Sequence, residues 1–160
     1  MKKFSICLLC LVTVILTGCL GKVQDRSSQP VLQTSRSFNA SFDMVWKATV
    51  KACADLQLPI TVIEKDSGFI GITSFSFSDP SIAYRDYTKG KIVTGFANTM
   101  IPMVAVTVTM NIYASDSTVK INATFKSIRH DPDLGNSTQT VPTNGVLESK
   151  LLDRIQVNLK

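Results

Sequence analysis

The chain has 160 residues, enough for one domain and hardly two. Its formal charge of +5 comes from Lys and Arg spread along the chain, not gathered in a stripe, which argues against a nucleic-acid binder. The positive mean hydropathy of +0.17 is inflated by the first 18 residues and does not describe a membrane-embedded domain.

Met1-Lys2-Lys3 is a short cationic start, followed by an apolar run from about Ile6 to Leu16. A membrane-crossing helix needs roughly 20 apolar residues, so this run reads as the hydrophobic region of a signal peptide. Directly after it stand Leu16, Thr17, Gly18 and Cys19. This quartet resembles the lipobox of bacterial lipoproteins. The resemblance implies cleavage between Gly18 and Cys19, a thioether from the Cys19 sulfur to diacylglycerol, and acylation of the new amino group. A single acyl chain holds a protein only marginally, whereas two or three anchor it stably. Leu20 in place of Asp after the cysteine implies, for a diderm organism, sorting to the periplasmic side of the outer membrane.

Loss of residues 1–18 leaves 142 residues and, without Lys2 and Lys3, a charge near +3. Cys7 and Cys10 leave with the signal and Cys19 is lipidated, so Cys53 has no partner for a disulfide despite an oxidising compartment. Residues 20–35 are polar without a sustained period and read, with Cys19, as a flexible tether. As a coil of about 16 residues it spans roughly 20–25 Å, enough to let a domain at 36–160 stand clear of the headgroups.

Arg36 to Ala40 is a short first strand. Ser41 is an N-cap for a helix running to about Leu56, with Asp43 complementing its positive end. Phe42, Val45, Trp46, Thr49, Cys53 and Leu56 fall on one face, which places Cys53 in a core rather than in a reactive site. Pro59 is expected to end this helix. Ile60–Lys65 and Phe69–Phe77 read as strands about an Asp66-Ser67-Gly68 turn. Residues 79–102 form a connection of over twenty residues, longer than compact domains usually leave without structure. It reads as an edge strand or loop, as a lid, or as a contact surface carried by Tyr84, Arg85, Tyr87 and Phe96, since Tyr and Arg dominate interface energetics.

The clearest strands follow. Val104, Val106, Val108, Met110 and Ile112 alternate with polar residues. After a Ser115-Asp116-Ser117 turn, Val119, Ile121, Ala123 and Phe125 do the same. This is a hairpin with one face covered. Residues 129–142 have turn composition and read as a loop. A closing helix spans about Asn144 to Leu159, with Leu147, Leu151, Leu152, Ile155 and Leu159 as its apolar stripe. The order β-α-β-β-β-β-α predicts an α+β domain with helices on one face of an antiparallel sheet.

The run Arg36–Ala48, with Val45-Trp46-Lys47-Ala48 inside it, and the run Leu58–Ile70, with its Asp-Ser-Gly turn, resemble the helix-grip domains of outer-membrane lipoproteins. The nearest family is BamC, an accessory lipoprotein family of the β-barrel assembly machinery. The likeness covers residues 36–75 and elsewhere extends to element order alone. BamC carries two such domains and a long N-terminal segment, against one domain here. The resemblance implies a helix-grip fold, and relatives of that fold can hold apolar ligands between helix and sheet.

Catalytic chemistry finds little to work with. His130 is the single histidine, in a His130-Asp131-Pro132-Asp133 run with turn composition and no second histidine to complete a zinc site or triad. No glycine-rich phosphate loop is present. Asp79, Asp86, Asp131 and Asp133 fall in expected loops and form no assignable acid–base pair. The sequence therefore predicts a non-catalytic protein-binding or envelope-assembly accessory, without metal or cofactor, anchored to a membrane and engaging an envelope protein. The alternative is carriage of a lipid or other apolar molecule in a cleft between helix and sheet.

Overall fold

The computed structural model describes residues 22–90, 92–94, 103–131 and 133–160. In chain order the elements are β1 (Lys22–Gln24), β2 (Ser35–Ser37), α1 (Phe42–Asp55), β3 (Val62–Glu64), β4 (Phe69–Ser76) and α2 (Pro80–Tyr87). They continue with β5 (Ile92–Thr94), β6 (Met103–Ser115), β7 (Thr118–Asp131), β8 (Gly135–Val141) and α3 (Val146–Asn158). The domain is α+β, with an antiparallel main sheet ordered β2-β7-β6-β4-β3 and β8 also paired to β7. β1 and β5 form a separate antiparallel ribbon.

The β6–β7 hairpin is the spine of the sheet. Its register runs from Met103 opposite Arg129 to Ser115 opposite Thr118, closed by Asp116 and Ser117. Asp116 takes a positive φ of 49°, which Asp tolerates in tight turns. Period-two alternation sends Val106, Val108, Met110, Ile112 and Ala114 to one face with Val119, Ile121 and Phe125, all at most 3% exposed. Asn111, Tyr113, Lys120, Asn122 and Lys126 stand on the other, exposed face. The expected hairpin and its covered face are present as read.

Helices α1 and α3 cover the apolar face. Val45, Trp46, Ala48, Thr49, Ala52 and Cys53 are the buried stripe of α1, and Leu147, Leu151, Leu152 and Ile155 that of α3. Their C-terminal ends are tied together: Asn158 Nδ2 donates to Asp55 Oδ2 at 3.1 Å, and Lys51 Nζ donates to Asn158 Oδ1 at 3.0 Å. Helix α1 stops at Asp55, ahead of Pro59. Leu58 N–H donates to Cys53 O at 2.9 Å and Gln57 N–H to Ala54 O at 3.0 Å, with Gln57 left-handed at φ 55°. This pairing is the Schellman stop, here built on a residue other than glycine.

Four expectations need correction. Residues 22–35 are not a free coil: β1 pairs with β5, Leu32 N–H donates to Asn144 O at 2.9 Å, and Ile121 N–H donates to Thr34 O at 2.8 Å. The strand expected at Arg36–Ala40 is β2, Ser35–Ser37, pinned to the start of β7. The 79–102 connection contains a helix, α2, started by Asp79, whose Oδ1 accepts Ile82 N–H at 3.0 Å, and by Pro80 in the first turn. Residues 129–142 are not a loop. β7 runs on to Asp131 and β8 returns beside it, from Asp131 opposite Gly135 to Phe125 opposite Val141. β8 hides in the sequence because its residues from Gly135 to Thr140 are all exposed and no apolar alternation marks them.

Candidate functional site

The N-terminal segment is clamped by one side chain. Arg26 is 8% exposed, and its guanidinium donates to three backbone carbonyls: Arg85 O at 2.6 Å, Tyr84 O at 3.4 Å and Gly90 O at 3.4 Å. The first two belong to the last turn of α2, whose carbonyls lack helical donors and carry the negative end of the helix dipole. Arg26 thus acts as a C-terminal cap supplied from outside the helix. Further along, a Cβ at Gly145 (φ 82°) would stand 2.7 Å from the Leu32 backbone nitrogen and oxygen, so glycine is what lets the segment lie this close.

Beside this clamp is a cleft of about 520 Å³, within the size range of ligand sites. Asp25, Ser27 and Val31 form its N-terminal wall, and Gln139, Thr140, Val141 and Pro142 form the wall at the end of β8. Tyr84, Lys89, Gly90 and Arg129 complete the lining. Arg129 places its guanidinium carbon 5.8 Å from the centre of the Tyr84 ring, a cation–π distance. Neither Lys89 nor Arg129 makes an ion pair among the described residues. Asp25 Oδ1 accepts Ser27 N–H at 3.0 Å.

The expected contact residues separate. Tyr84 is 7% exposed, packs in the core and reaches the surface only where it lines the cleft. Tyr87 is half-buried, its ring 5.4 Å from Phe77 and 6.4 Å from Phe125, with Lys150 Nζ 3.2 Å from its hydroxyl. Three-residue spacing on a helix puts both tyrosines inward. Arg85 is exposed and paired with Asp86 at 2.9 Å. Gly18, Cys19 and Phe96 lie outside the described residues.

Other chemistry-bearing groups are accounted for by packing. Cys53 is fully buried and free, and burial pushes its thiol up to about 12, which makes it unreactive. His130 sits on β7, with Nδ1 2.8 Å from Asn136 Oδ1. Among the described residues no three His, Cys, Asp or Glu side chains gather as metal ligands. Glu148 is fully buried in the first turn of α3. Its Oε2 accepts the Thr143 hydroxyl at 3.0 Å, while Oε1 has no partner among the described residues. Burial raises its pKa, against smaller opposing effects of its backbone N–H and Thr143.

The outer edge of β8 is the second feature of the site. β7 occupies one edge; on the other, among the described residues, pairing occurs only past the strand's end. There Thr88 bridges Thr143 and Lys89 N–H donates to Pro142 O at 2.8 Å. The strand reads Gly-Asn-Ser-Thr-Gln-Thr-Val, without charge, proline or bulge. The sequence reading missed this element, though Ser-Thr-Gln-Thr-Val holds β-branched residues suited to a strand. It also missed Arg26, for which a lone Arg in a polar stretch gives no signal. No protein-family model, curated protein or solved structure matches this chain.

Proposed function

We propose that the chain is a lipid-anchored, non-catalytic binding module of the bacterial envelope, attached through Cys19 after cleavage at Gly18. It docks a segment of an envelope protein along the free edge of β8. The supporting observation is that, among the described residues, nothing pairs along this edge and no charge, proline or bulge blunts it. Exposed edges template pairing with other chains, and natural proteins blunt them with charges, proline, bulges or short strands. β8 has seven residues and none of those devices. A partner strand added there gains main-chain hydrogen bonds, the mode used in β-strand addition. Helices α1 and α3 over the β6–β7 hairpin fit a helix-grip arrangement, and Leu20 fits sorting to the outer membrane.

Carriage of an apolar molecule between helix and sheet has less support. Val45, Ala52, Cys53, Ile72, Met110, Ile112, Ile121, Leu151 and Ile155 reach 0% exposure, which leaves no water-sized void beside them. The test is a photo-crosslinking amino acid at Thr138 in cells, with one at Asn122 on the open sheet face as control. The account expects a discrete adduct from Thr138 alone, abolished when Asn136 and Thr140 are both replaced by Lys. Equal adducts from both positions would contradict it.

A further inference from the structure

The segment after the anchor has no slack. Lys22, where β1 begins, stands three positions after Cys19, and a fully extended chain of that length reaches about 10 Å. Ser27, on the cleft wall, is eight residues from Cys19 and within about 28 Å of it even at full stretch. From Lys22 onward the chain is held to the domain by the β1–β5 ladder, by Arg26, by Leu32 on Asn144 and by Thr34 on Ile121. A coil of 16 residues would let the domain float, whereas this arrangement does not.

We propose that residues 22–34 are a strap that holds the domain flush on the leaflet carrying Cys19, with Lys89 and Arg129 of the cleft facing anionic lipid headgroups. The proposal rests on lipidation of Cys19 as read above. Chain length supplies the closeness and charge supplies the orientation. Lys89 and Arg129 are partly exposed, line the cleft that the strap borders, and have no carboxylate paired with them among the described residues. Asp25 is the one carboxylate among the described residues of that lining. Cations held within a Debye length of an anionic surface, about 8–10 Å, are drawn to it. Phosphate headgroups match both a guanidinium and an ammonium. Gly135 to Thr138 lie beyond the cleft lining, which keeps that part of the β8 edge open to a protein partner.

The test uses the full lipidated chain, extracted from membranes and reconstituted in vesicles of phosphatidylethanolamine and phosphatidylglycerol. Nitroxide labels are placed at Ser27→Cys and, separately, at Lys120→Cys, nine residues up β7 from Arg129 and so about 30 Å away. Buried Cys53 stays unlabelled. The strap predicts that the Ser27 label is severalfold less accessible to a water-soluble relaxing agent than the Lys120 label. It also predicts that the difference shrinks in Lys89→Gln/Arg129→Gln and in vesicles of phosphatidylcholine alone. Equal accessibility at the two labels, with an intact mass showing the lipid on Cys19, would overturn the strap and leave the anchor standing. A shielded Ser27 label that ignores both the double variant and the lipid charge would overturn the headgroup contact. A chain recovered without lipid would overturn the anchor and the strap with it.

Discussion

Arg26 is a buried cation with no carboxylate paired to it among the described residues; three carbonyl oxygens accept its hydrogen bonds instead. Hydrogen bonds to charged groups contribute about 1.5–3 kcal/mol each in favourable geometry, and here one of the three is short at 2.6 Å. Arg26→Ala is therefore expected to cost about 2–3 kcal/mol in urea unfolding and to open residues 22–34 to proteolysis before the rest of the domain. Glu148 works against stability at neutral pH. Its carboxyl is raised above the ordinary 4.5 by burial, so the folded state holds the proton more tightly than the unfolded chain. Its contribution is most favourable below 4.5 and is lost as pH rises through the folded pKa. Glu148→Gln removes this titration. Melting compared across pH 4 to 8 should show the variant gaining on the native chain as pH rises. A constant difference would mean that Glu148 is not held by burial as described.

At the scale of elements, the end of α1 offers a clean experiment. A left-handed L-residue costs roughly 1–2 kcal/mol, and glycine removes that cost while adding chain entropy to the unfolded state. Gln57→Gly should stabilise the domain by about 0.5–1 kcal/mol net, read as a shift of the denaturation midpoint at unchanged slope. Elements whose burial is one-sided were legible in the sequence. β6, β7 up to Phe125, α1 and α3 each carry an apolar stripe of the right period, because one face meets the core and the other meets water. β8 has water on both faces and takes its shape from the β7 ladder, a long-range partner that local pattern does not reveal. Helix α2 is eight residues long and too short for a strong period, yet Asp79-Pro80 is a start signal and Tyr84 and Tyr87 mark its inner face. The three-residue spacing of Tyr84 and Tyr87 puts Tyr84 in the core and half-buries Tyr87.

At the scale of the whole molecule, the hairpin core carries two features at one end: a clamped N-terminal segment and a strand edge that is unpaired along β8 among the described residues. Neither was visible in composition, since Arg26 and β8 both sit in polar stretches with turn-forming residues. The proposed anchor rests on a basic start, an apolar run too short to span and a cysteine directly after Gly18. On the proposed lipidation of Cys19, attachment would give the strap its use, because a domain held from residue 22 could not wander from a lipid at residue 19. The proposed attachment would also bear on the edge, since a β8 strand held near the bilayer would meet partners presented there and few others. The most direct test is the mass of the N-terminal peptide of the protein recovered from membranes. The account predicts a peptide starting at Cys19 and carrying a diacylglyceryl thioether with an acylated amino group. A peptide retaining residues 1–18, or one starting elsewhere without lipid, would contradict it.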